Sequence, residues 1–254
     1  MRPTLVALVA VLAGCGSFGD SGTTPDLSPA AVREAPDRVR AEGTFAFSAT
    51  YIRQLPGKAD EKYLTFEGAV DVTRAVGRLE ADFSTLLPTS PRTNAPLTEP
   101  IELSWTRDEL VAALGGKEQA QPRAHARESG GLIGRLPDEP AALVELLERA
   151  EGVQRVGEEE IDERRVVRFS CSVDSRPAGA AGVPAELAPA FAQALYGPKL
   201  PLEIWLDADG LPRRIEYVIR LKPWRSGGKQ ILPARVVRGR YDLTDFGEPI
   251  ATSR

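Results

Sequence analysis

The sequence of 254 residues is poor in the side chains that most often carry chemistry, since it holds only two cysteines, Cys15 and Cys171, and one histidine, His125. These cannot supply the three or four nitrogen and sulfur ligands of a usual zinc site. His125 lies in the polar stretch 123–129, so a Ser-His-Asp system would need a base on a surface loop. We therefore expect no metal, no other cofactor and no enzymatic activity.

The chain also lacks an excess of positive charge, with a net charge of −4 and a pI near 5.3. This balance gives no electrostatic attraction to nucleic acid or to anionic lipid headgroups, and we expect no nucleic-acid partner. A hydrophobic fraction of 42% is nevertheless enough for a sizeable core, which excludes a disordered chain.

The apolar run at residues 3–13 is too short for a permanent transmembrane helix. As a helix it would span about 16 Å, roughly half of the ~30 Å hydrocarbon core. It follows Arg2 and precedes small residues before Cys15, which is the layout of a cleaved secretory signal. The motif Leu12-Ala13-Gly14-Cys15 matches the bacterial lipobox, in which the cysteine sulfur receives a diacylglycerol.

These features predict a signal peptide at 1–14 and a lipid anchor at Cys15, on the extracytoplasmic face of the cell membrane. Each buried methylene contributes about 0.8 kcal/mol, so two or three acyl chains would hold the protein without a basic patch. The alternative is an ordinary signal peptide with a chance cysteine. Residues 15–27 are rich in Gly, Ser and Thr and should form a flexible tether.

If Cys15 is acylated, Cys171 is the remaining thiol and no intramolecular disulfide can form. Cys171 alternates with apolar residues at 167, 169 and 173, which predicts a buried, inert thiol on a strand. We assign 28–254 to a single domain.

Hydrophobic periodicity predicts an α+β domain with about three helices and eight strands. Helices are expected near 29–42, 138–150 and 184–196. The predicted strands are 45–51, 64–72, 79–83, 101–106, 166–173, 202–206, 214–221 and 236–243, with a short candidate at 153–157. The motif Asp207-x-Asp209-Gly210 lacks the closing glutamate of a calcium loop and predicts a hairpin turn. Gly227 and Gly228 are expected in a loop.

The strands alternate apolar and polar residues, which indicates an antiparallel sheet with one wet face. Eight strands would span roughly 38 Å, whereas three helices about 10 Å across cover roughly 30 Å, so the sheet should curl into a half-barrel around them. The uncovered apolar area predicts a ligand cavity on the concave face, unless loop side chains between Leu86 and Leu97 fill the gap. The candidate cavity residues are Phe45, Phe47, Phe66, Phe83, Leu103, Trp105, Phe169, Ile204, Ile215 and Tyr217.

Several segments resemble the LppX/LprAFG family of actinobacterial lipoproteins. They are the lipobox, Val153-x-x-Val156-Gly157-Glu158-Glu159, the run from Leu202 through Arg214, and Tyr241-x-x-x-Asp245-Phe246-Gly247-x-Pro249-Ile250. The resemblance implies a LolA-like fold, a curved antiparallel sheet with helices on its concave side. It also implies an apolar cavity for lipid acyl chains and no catalytic residues. The stretch 86–135 departs from the family in its many Pro, Arg and Ala residues.

The leading prediction is a membrane-anchored lipoprotein that binds or carries a lipid, glycolipid or acyl chain. A membrane transporter or another envelope protein would be its partner. One alternative is a structural or sensor lipoprotein that binds a partner protein and has a plugged cavity. A hydrolase that uses His125 or Ser129 is the third hypothesis.

Overall fold

Alternating apolar and polar residues form β-strands through most of the computed structural model, which describes residues 26–82, 100–122, 139–174, 199–221, 223–226 and 229–250. Eleven of the strands join one antiparallel sheet in the order β6-β5-β4-β3-β2-β1-β13-β10-β9-β8-β7. The strands are β1 Thr44–Gln54, β2 Glu61–Asp71, β3 Val76–Asp82, β4 Ile101–Trp105, β5 Glu109–Leu114, β6 Lys117–Pro122, β7 Glu151–Ile161, β8 Arg164–Asp174, β9 Lys199–Leu206, β10 Pro212–Leu221, β11 Trp224–Ser226, β12 Lys229–Leu232 and β13 Arg235–Thr244. Strands β11 and β12 pair separately.

Two α-helices lie in the described residues, α1 at Ala30–Glu42 and α2 at Glu139–Leu146, and α2 continues into a 3₁₀ helix at Leu147–Arg149. These confirm the helices predicted near 29–42 and 138–150. The third predicted helix, at 184–196, lies outside the described residues. No helix in the described ranges is long and apolar enough to span a membrane.

Helix α1 ends at Glu42, and the N–H of its C-cap residue, Gly43, donates to the carbonyl of Val39 at 3.0 Å. Gly43 has a φ of 81°, which glycine adopts without steric cost. The helix is tied to the 3₁₀ helix by the Arg40–Glu148 ion pair, and Arg33 donates to the Ala150 carbonyl at 2.9 Å.

The sheet has an apolar face and a polar face because side chains alternate along each strand. On β1, Phe45, Phe47, Ala49 and Tyr51 are buried and belong to the same hydrophobic cluster as the inward residues of both helices. The face that carries these residues is here called the apolar face, and the helices pack against it. The opposite face is called the polar face.

The expectation of eight strands is wrong, because the main sheet contains eleven. Strand β5 was missed since its Leu-Val-Ala-Ala-Leu run does not alternate, and β6 has almost no apolar residues. Gly115 and Gly116 form the two-residue turn between them, and their φ values of 56° and 73° fit the type I′ hairpin that this sequence favours. The loop expected around Gly227 and Gly228 is likewise flanked by the paired strands β11 and β12.

The two edge strands of the sheet are its most polar strands. Strand β6 reads KEQAQP, and β7 is mostly exposed over its eleven residues. The β7–β8 register also shifts at two positions. Charged, irregular edges limit edge-to-edge association between sheets, which explains why the strands at both edges carry little apolar periodicity.

Two carboxylates fix hairpin turns, one between β2 and β3 and the other between β9 and β10. Asp71 accepts hydrogen bonds from the Thr73 N–H, the Thr73 hydroxyl and the Arg74 N–H at 2.7–3.0 Å. Burial raises the pKa of Asp71, but these hydrogen bonds outweigh it, and the pKa falls below the usual value. Asp207 closes the β9–β10 turn by accepting from the Leu211 N–H at 2.9 Å, which confirms the predicted hairpin.

Candidate functional site

Nine of the ten predicted cavity residues lie on the apolar face, where none is more than 3% exposed. All nine belong to one hydrophobic cluster. They are Phe45, Phe47, Phe66, Leu103, Trp105, Phe169, Ile204, Ile215 and Tyr217. The structure therefore brings them together as a continuous apolar surface. Phe83, like the predicted anchor Cys15, lies outside the described residues, and the assignment of these residues to a ligand site stays a prediction.

Aromatic rings of the apolar face lie directly over glycines of neighbouring strands. A Cβ atom at Gly77 would be 2.2 Å from Trp105 Cζ2, and one at Gly239 would be 2.3 Å from Tyr217 Cζ. A Cβ at Gly68 would be 2.2 Å from the main-chain oxygen of Arg78 and 2.8 Å from the Phe47 ring. Glycine is therefore required at these positions, because aromatic rings and, at Gly68, the neighbouring main chain occupy the space of a side chain.

A cluster of tyrosines places polar atoms in the middle of the apolar face. The Tyr51 and Tyr241 hydroxyls are buried and 2.5 Å apart, and the Tyr217 ring stacks on the Tyr241 ring with centroids 6.3 Å apart. Phe66 contacts Tyr241 edge to face at 5.9 Å. In many pockets a few polar groups within an apolar lining orient the ligand. Here the Tyr51 and Tyr241 hydroxyls bond to each other.

A cavity is lined by described residues of the polar face of the sheet. It has a volume of about 1050 Å³ and extends across β13, β1, β2, β3, β4, β5 and β6. Phe47, Phe66 and Leu103 also line it, but their side chains lie in the hydrophobic cluster, so only their main chain can face this space.

The lining of this cavity is strongly acidic. It includes two basic residues, Lys62 and Arg78, and seven carboxylates. The carboxylates are Glu67, Glu80, Asp82, Glu102, Glu118, Asp242 and Asp245. We call the cavity, with this lining, the acidic trough. Its chemistry suits a cationic or polar molecule rather than an acyl chain.

Strand register places the carboxylates in one row across the trough. Glu67 is directly opposite Glu80, and Glu80 is directly opposite Glu102. The row continues through Ala113 to Glu118 on β6. Side chains directly opposite on antiparallel strands have Cβ atoms about 4.5–5.5 Å apart, and like charges in such pairs are destabilising.

A different arrangement covers the polar face over β7 to β10. Trp205 is buried there with Ile161 and Val166. The guanidinium of Arg168 lies 5.2 Å from the Trp205 ring centroid, and the indole N–H donates to Glu159 at 2.9 Å. This hydrogen bond, together with Arg168, holds the pKa of Glu159 below its usual value. Here Arg168 pairs with both Glu159 and Glu203.

Cys171 is buried, as predicted. Burial raises the pKa of its thiol to about 11, so the thiolate that nucleophilic chemistry needs is scarce at neutral pH. His125 and Ser129, the residues on which a hydrolase would depend, lie outside the described residues. The described part of the chain holds no group of three His, Cys, Asp or Glu side chains placed to bind a metal.

Sequence reasoning missed the acidic trough. The glutamates are 13 to 22 residues apart along the chain, and each alone is an ordinary polar partner in an alternating strand. The sequence does show a Glu on the polar face of three successive predicted strands. Whether these residues pair directly depends on the register between the strands, which the sequence of a single strand does not determine.

The described residues form a large antiparallel sheet whose apolar face packs against two helices. No protein-family model matches the chain, and no curated protein sequence matches it. Lipoprotein LppX from Mycobacterium tuberculosis superposes with a TM-score of 0.53 at 11% identity, covering 89% of this chain and 97% of LppX. LprF from Mycobacterium bovis superposes with a TM-score of 0.52 at 16% identity, covering 91% and 99%.

The chain thus shares the LppX and LprF fold, and the resemblance drawn from its sequence is confirmed at the level of the fold. A LolA superfamily protein from Nitrosomonas europaea is more distant, with a TM-score of 0.34 at 11% identity, covering 87% of this chain and 93% of that protein. The LolA part of the resemblance stays a prediction at that distance.

Proposed function

We propose that the protein is a membrane-anchored, extracytoplasmic lipoprotein that binds a hydrophobic ligand on the apolar face of its sheet and catalyses no reaction. The ligand class is a lipid, a glycolipid or another molecule with acyl chains. The observation that carries the proposal is the size of the apolar face. Eleven strands span about 50 Å, whereas the two α-helices of the described residues, α1 and α2, are together roughly 20 Å across.

Apolar burial supplies the binding energy, at about 25 cal/mol for each Å² removed from water. Because the nine described cavity residues are already buried, a ligand would have to replace part of the protein's own cover. Binding would then require that cover to separate from the sheet, and no catalytic group takes part. The fold shared with LppX, which is a lipoprotein, supports this proposal.

The same burial favours a second candidate function. A fully packed apolar face leaves no room for a guest, and the cavity described above is lined by residues of the polar face. In that case the protein would be a structural or sensor lipoprotein that binds a partner protein. Lipid uptake separates the two functions, because only the first requires it.

The first experiment measures lipid directly. A Cys15→Ala variant, which cannot be acylated, is purified in folded form, extracted with organic solvent and examined by mass spectrometry. The delipidated protein is then titrated with cis-parinaric acid, a fluorescent fatty acid. Co-purified lipid and saturable uptake are expected, whereas absence of both from a folded sample would overturn the proposal.

A matched pair of substitutions on β2 locates the ligand. Phe66 lies on the apolar face, 2% exposed, and Thr65 lies on the polar face of the same strand. Phe66→Leu keeps most of the side-chain volume, which limits the loss of stability to about 1.5 kcal/mol. It should weaken fatty-acid uptake, whereas Thr65→Ala should leave uptake unchanged. Equal effects would place the ligand elsewhere.

Anchoring is tested separately in cells. The full chain should fractionate with membranes, and its N-terminal peptide should carry acyl groups on Cys15. Cys15→Ala should shift the protein to the soluble extracytoplasmic fraction. Membrane association that survives this substitution would contradict the lipid anchor.

A further inference from the structure

Strands β11 and β12 form a two-stranded arm for which the proposed lipid site gives no role. The outermost pair of β10 and β13 is Leu221 with Arg235. Three residues further out on each strand, Trp224 of β11 pairs with Leu232 of β12. The two short strands therefore continue the β10–β13 hairpin in the same register. We call β11 and β12 together the arm.

The arm projects beyond the neighbouring strands of the main sheet. The neighbour of β13, strand β1, makes its outermost pair with Val236, and the neighbour of β10, strand β9, makes its outermost pair with Tyr217. From Leu221 to Ser226 an extended chain covers about 17 Å. Within the described residues, β11 and β12 pair only with each other. Because a two-stranded hairpin is marginally stable on its own in water, a surface on which it lies would stabilise it.

The arm belongs to a strongly basic part of the sequence. Residues 217–241 contain seven basic residues and no Asp or Glu, although the net charge of the chain is −4. The basic residues are Arg220, Lys222, Arg225, Lys229, Arg235, Arg238 and Arg240. Arg238 and Arg240 form ion pairs with Asp60 and Asp242. The remaining positive charge belongs to the arm and to the residues at its base.

The chain that leads to the predicted lipid anchor begins at the same end of the sheet. Arg33, near the start of α1, donates to the Ala150 carbonyl at 2.9 Å. Ala150 directly precedes β7, whose first residue is paired through β8 with the beginning of β9, beside the outer part of β10. Arg38 donates instead to the Asp209 carbonyl, in the β9–β10 turn at the opposite end. Helix α1 therefore runs away from the end that carries the arm, and the predicted tether joins the domain near that end.

We propose that the arm binds the anionic lipid headgroups of the membrane to which the protein is anchored, through Arg225 and Lys229. The inference rests on the proposed lipid anchor. The predicted tether, 15–27, would have an end-to-end distance of roughly 20 Å, which keeps the arm within reach of the bilayer surface. Each Lys or Arg close to an anionic membrane strengthens binding about fivefold, and a tryptophan such as Trp224 favours the interface. The tether alone leaves the domain free to rotate, whereas the arm would give it one orientation.

The test uses the mature protein with Cys15→Ala, so that neither an acyl chain nor the signal peptide can hold it on a vesicle. The protein is co-sedimented at about 0.1 M salt with vesicles of phosphatidylcholine, either alone or with about 30% phosphatidylglycerol. The arm variant is Arg225→Gln/Lys229→Gln. The control variant, Arg107→Gln/Arg164→Gln, removes the same charge from exposed residues at the opposite end of the sheet.

The protein with the unaltered arm should bind the anionic vesicles and not the neutral ones, and about 0.5 M salt should release it. The arm variant should bind at least about tenfold more weakly, while the control variant should lose less than about threefold. Both variants should unfold at the same temperature as the protein without these changes. Equal losses in the two variants would show a general effect of net charge and overturn the proposal. Equal binding to neutral and anionic vesicles would overturn it as well.

Tryptophan fluorescence gives a second measurement of the same contact. Trp105 and Trp205 are each 3% exposed, so quenching by anionic vesicles that contain brominated lipid should come from Trp224. Trp224→Phe should abolish this quenching, and quenching that persists would place another part of the protein on the bilayer and overturn the proposal. Arm-dependent binding of heparin without binding of vesicles would assign the arm to a soluble polyanion and equally overturn it.

Failure of this proposal is distinguishable from failure of the proposed anchor. The vesicle assay contains no acyl chain on residue 15, whereas fractionation of the full chain in cells tests acylation of Cys15. Absence of vesicle binding together with normal acylation would overturn the role of the arm alone. Vesicle binding that depends on the arm, in a protein that is not acylated in cells, would overturn the anchor alone.

Discussion

Replacing Gly77 by alanine should destabilise the sheet, because the Trp105 ring occupies the place of the new methyl group. The added Cβ would lie 2.2 Å from Trp105 Cζ2, whereas ordinary contacts begin near 3.4 Å. The ring must therefore move by about 1 Å. Trp105 is only 3% exposed, so this movement disturbs its neighbours on the apolar face.

The cost of such overpacking is about 1–3 kcal/mol. The unfolded chain loses conformational freedom on a change from glycine to alanine, which offsets roughly 0.4–1 kcal/mol. A net loss of about 1–2 kcal/mol corresponds to a fall of roughly 2–8 °C in the unfolding temperature of a domain of this size. Gly239→Ala should behave alike, because its Cβ would lie 2.3 Å from Tyr217 Cζ.

Gly157→Ala is the matched control on strand β7. A Cβ at Gly157 meets no atom within 4 Å, and neither Gly157 nor Gly77 has a positive φ. The control should therefore be neutral or stabilised by up to about 1 kcal/mol. Urea and thermal unfolding, followed by far-UV circular dichroism, measure the difference. In the background Trp105→Leu, Gly77→Ala should lose most of its penalty. The reasoning is refuted if Gly77→Ala is as stable as Gly157→Ala.

Three further predictions concern single side chains. The pKa of the Cys171 thiol is raised to about 11, so its reaction with iodoacetamide near pH 8 should be at least about 100-fold slower in the folded protein than in urea. Rapid labelling of Cys171 in the folded protein would contradict its burial. Because the pKa of Glu159 is lowered in the folded protein, its ionised form stabilises the fold at pH values above the unfolded pKa, and this stabilisation is lost as the pH falls through the folded pKa. Trp205→Phe should raise the Glu159 pKa in an NMR titration. An unchanged pKa would mean that the indole hydrogen bond has no effect. Tyr51→Phe removes the hydroxyl that lies 2.5 Å from the Tyr241 hydroxyl, and it should lower the free energy of unfolding in urea by about 0.5–1.5 kcal/mol. If the loss in the Tyr51→Phe/Tyr241→Phe variant equalled the sum of the losses in the two single variants, the two hydroxyls would not interact.

The strands with regular alternation could be predicted from the sequence, and those without it could not. The alternate positions Phe45, Phe47 and Tyr51 of β1 predict a strand with one buried face, and all three side chains are buried in the structure. Strand β6 offers no apolar residue facing the core, and the exposed Glu158 and Glu160 of β7 resemble a solvated turn. Edge strands are held by one neighbour and by main-chain hydrogen bonds, so their side chains need carry no pattern.

The residues of the apolar face could be predicted from the sequence because they alternate along each strand, whereas the acidic trough could not be predicted. Burial is a property of each residue along its own strand, so Phe169 and Ile204 could both be assigned to the core before their pairing was known. The trough depends on pairing between strands that are remote in the chain. Asp242 meets Ser48 only because the last strand of the sheet inserts beside the first. A cavity on one face also depends on curvature, which no local pattern contains.

Alternation along a strand gives the two faces separate chemistry and allows each to be tested without the other. Phe66 and Glu67 are neighbours in sequence, yet one lies in the hydrophobic cluster and the other lines the acidic trough. Phe66→Leu should therefore weaken fatty-acid uptake, and Glu67→Gln should leave it intact. If Glu67→Gln weakened uptake as much as Phe66→Leu, the sheet would be transmitting strain between its faces, and the two faces would have to be treated as one coupled site.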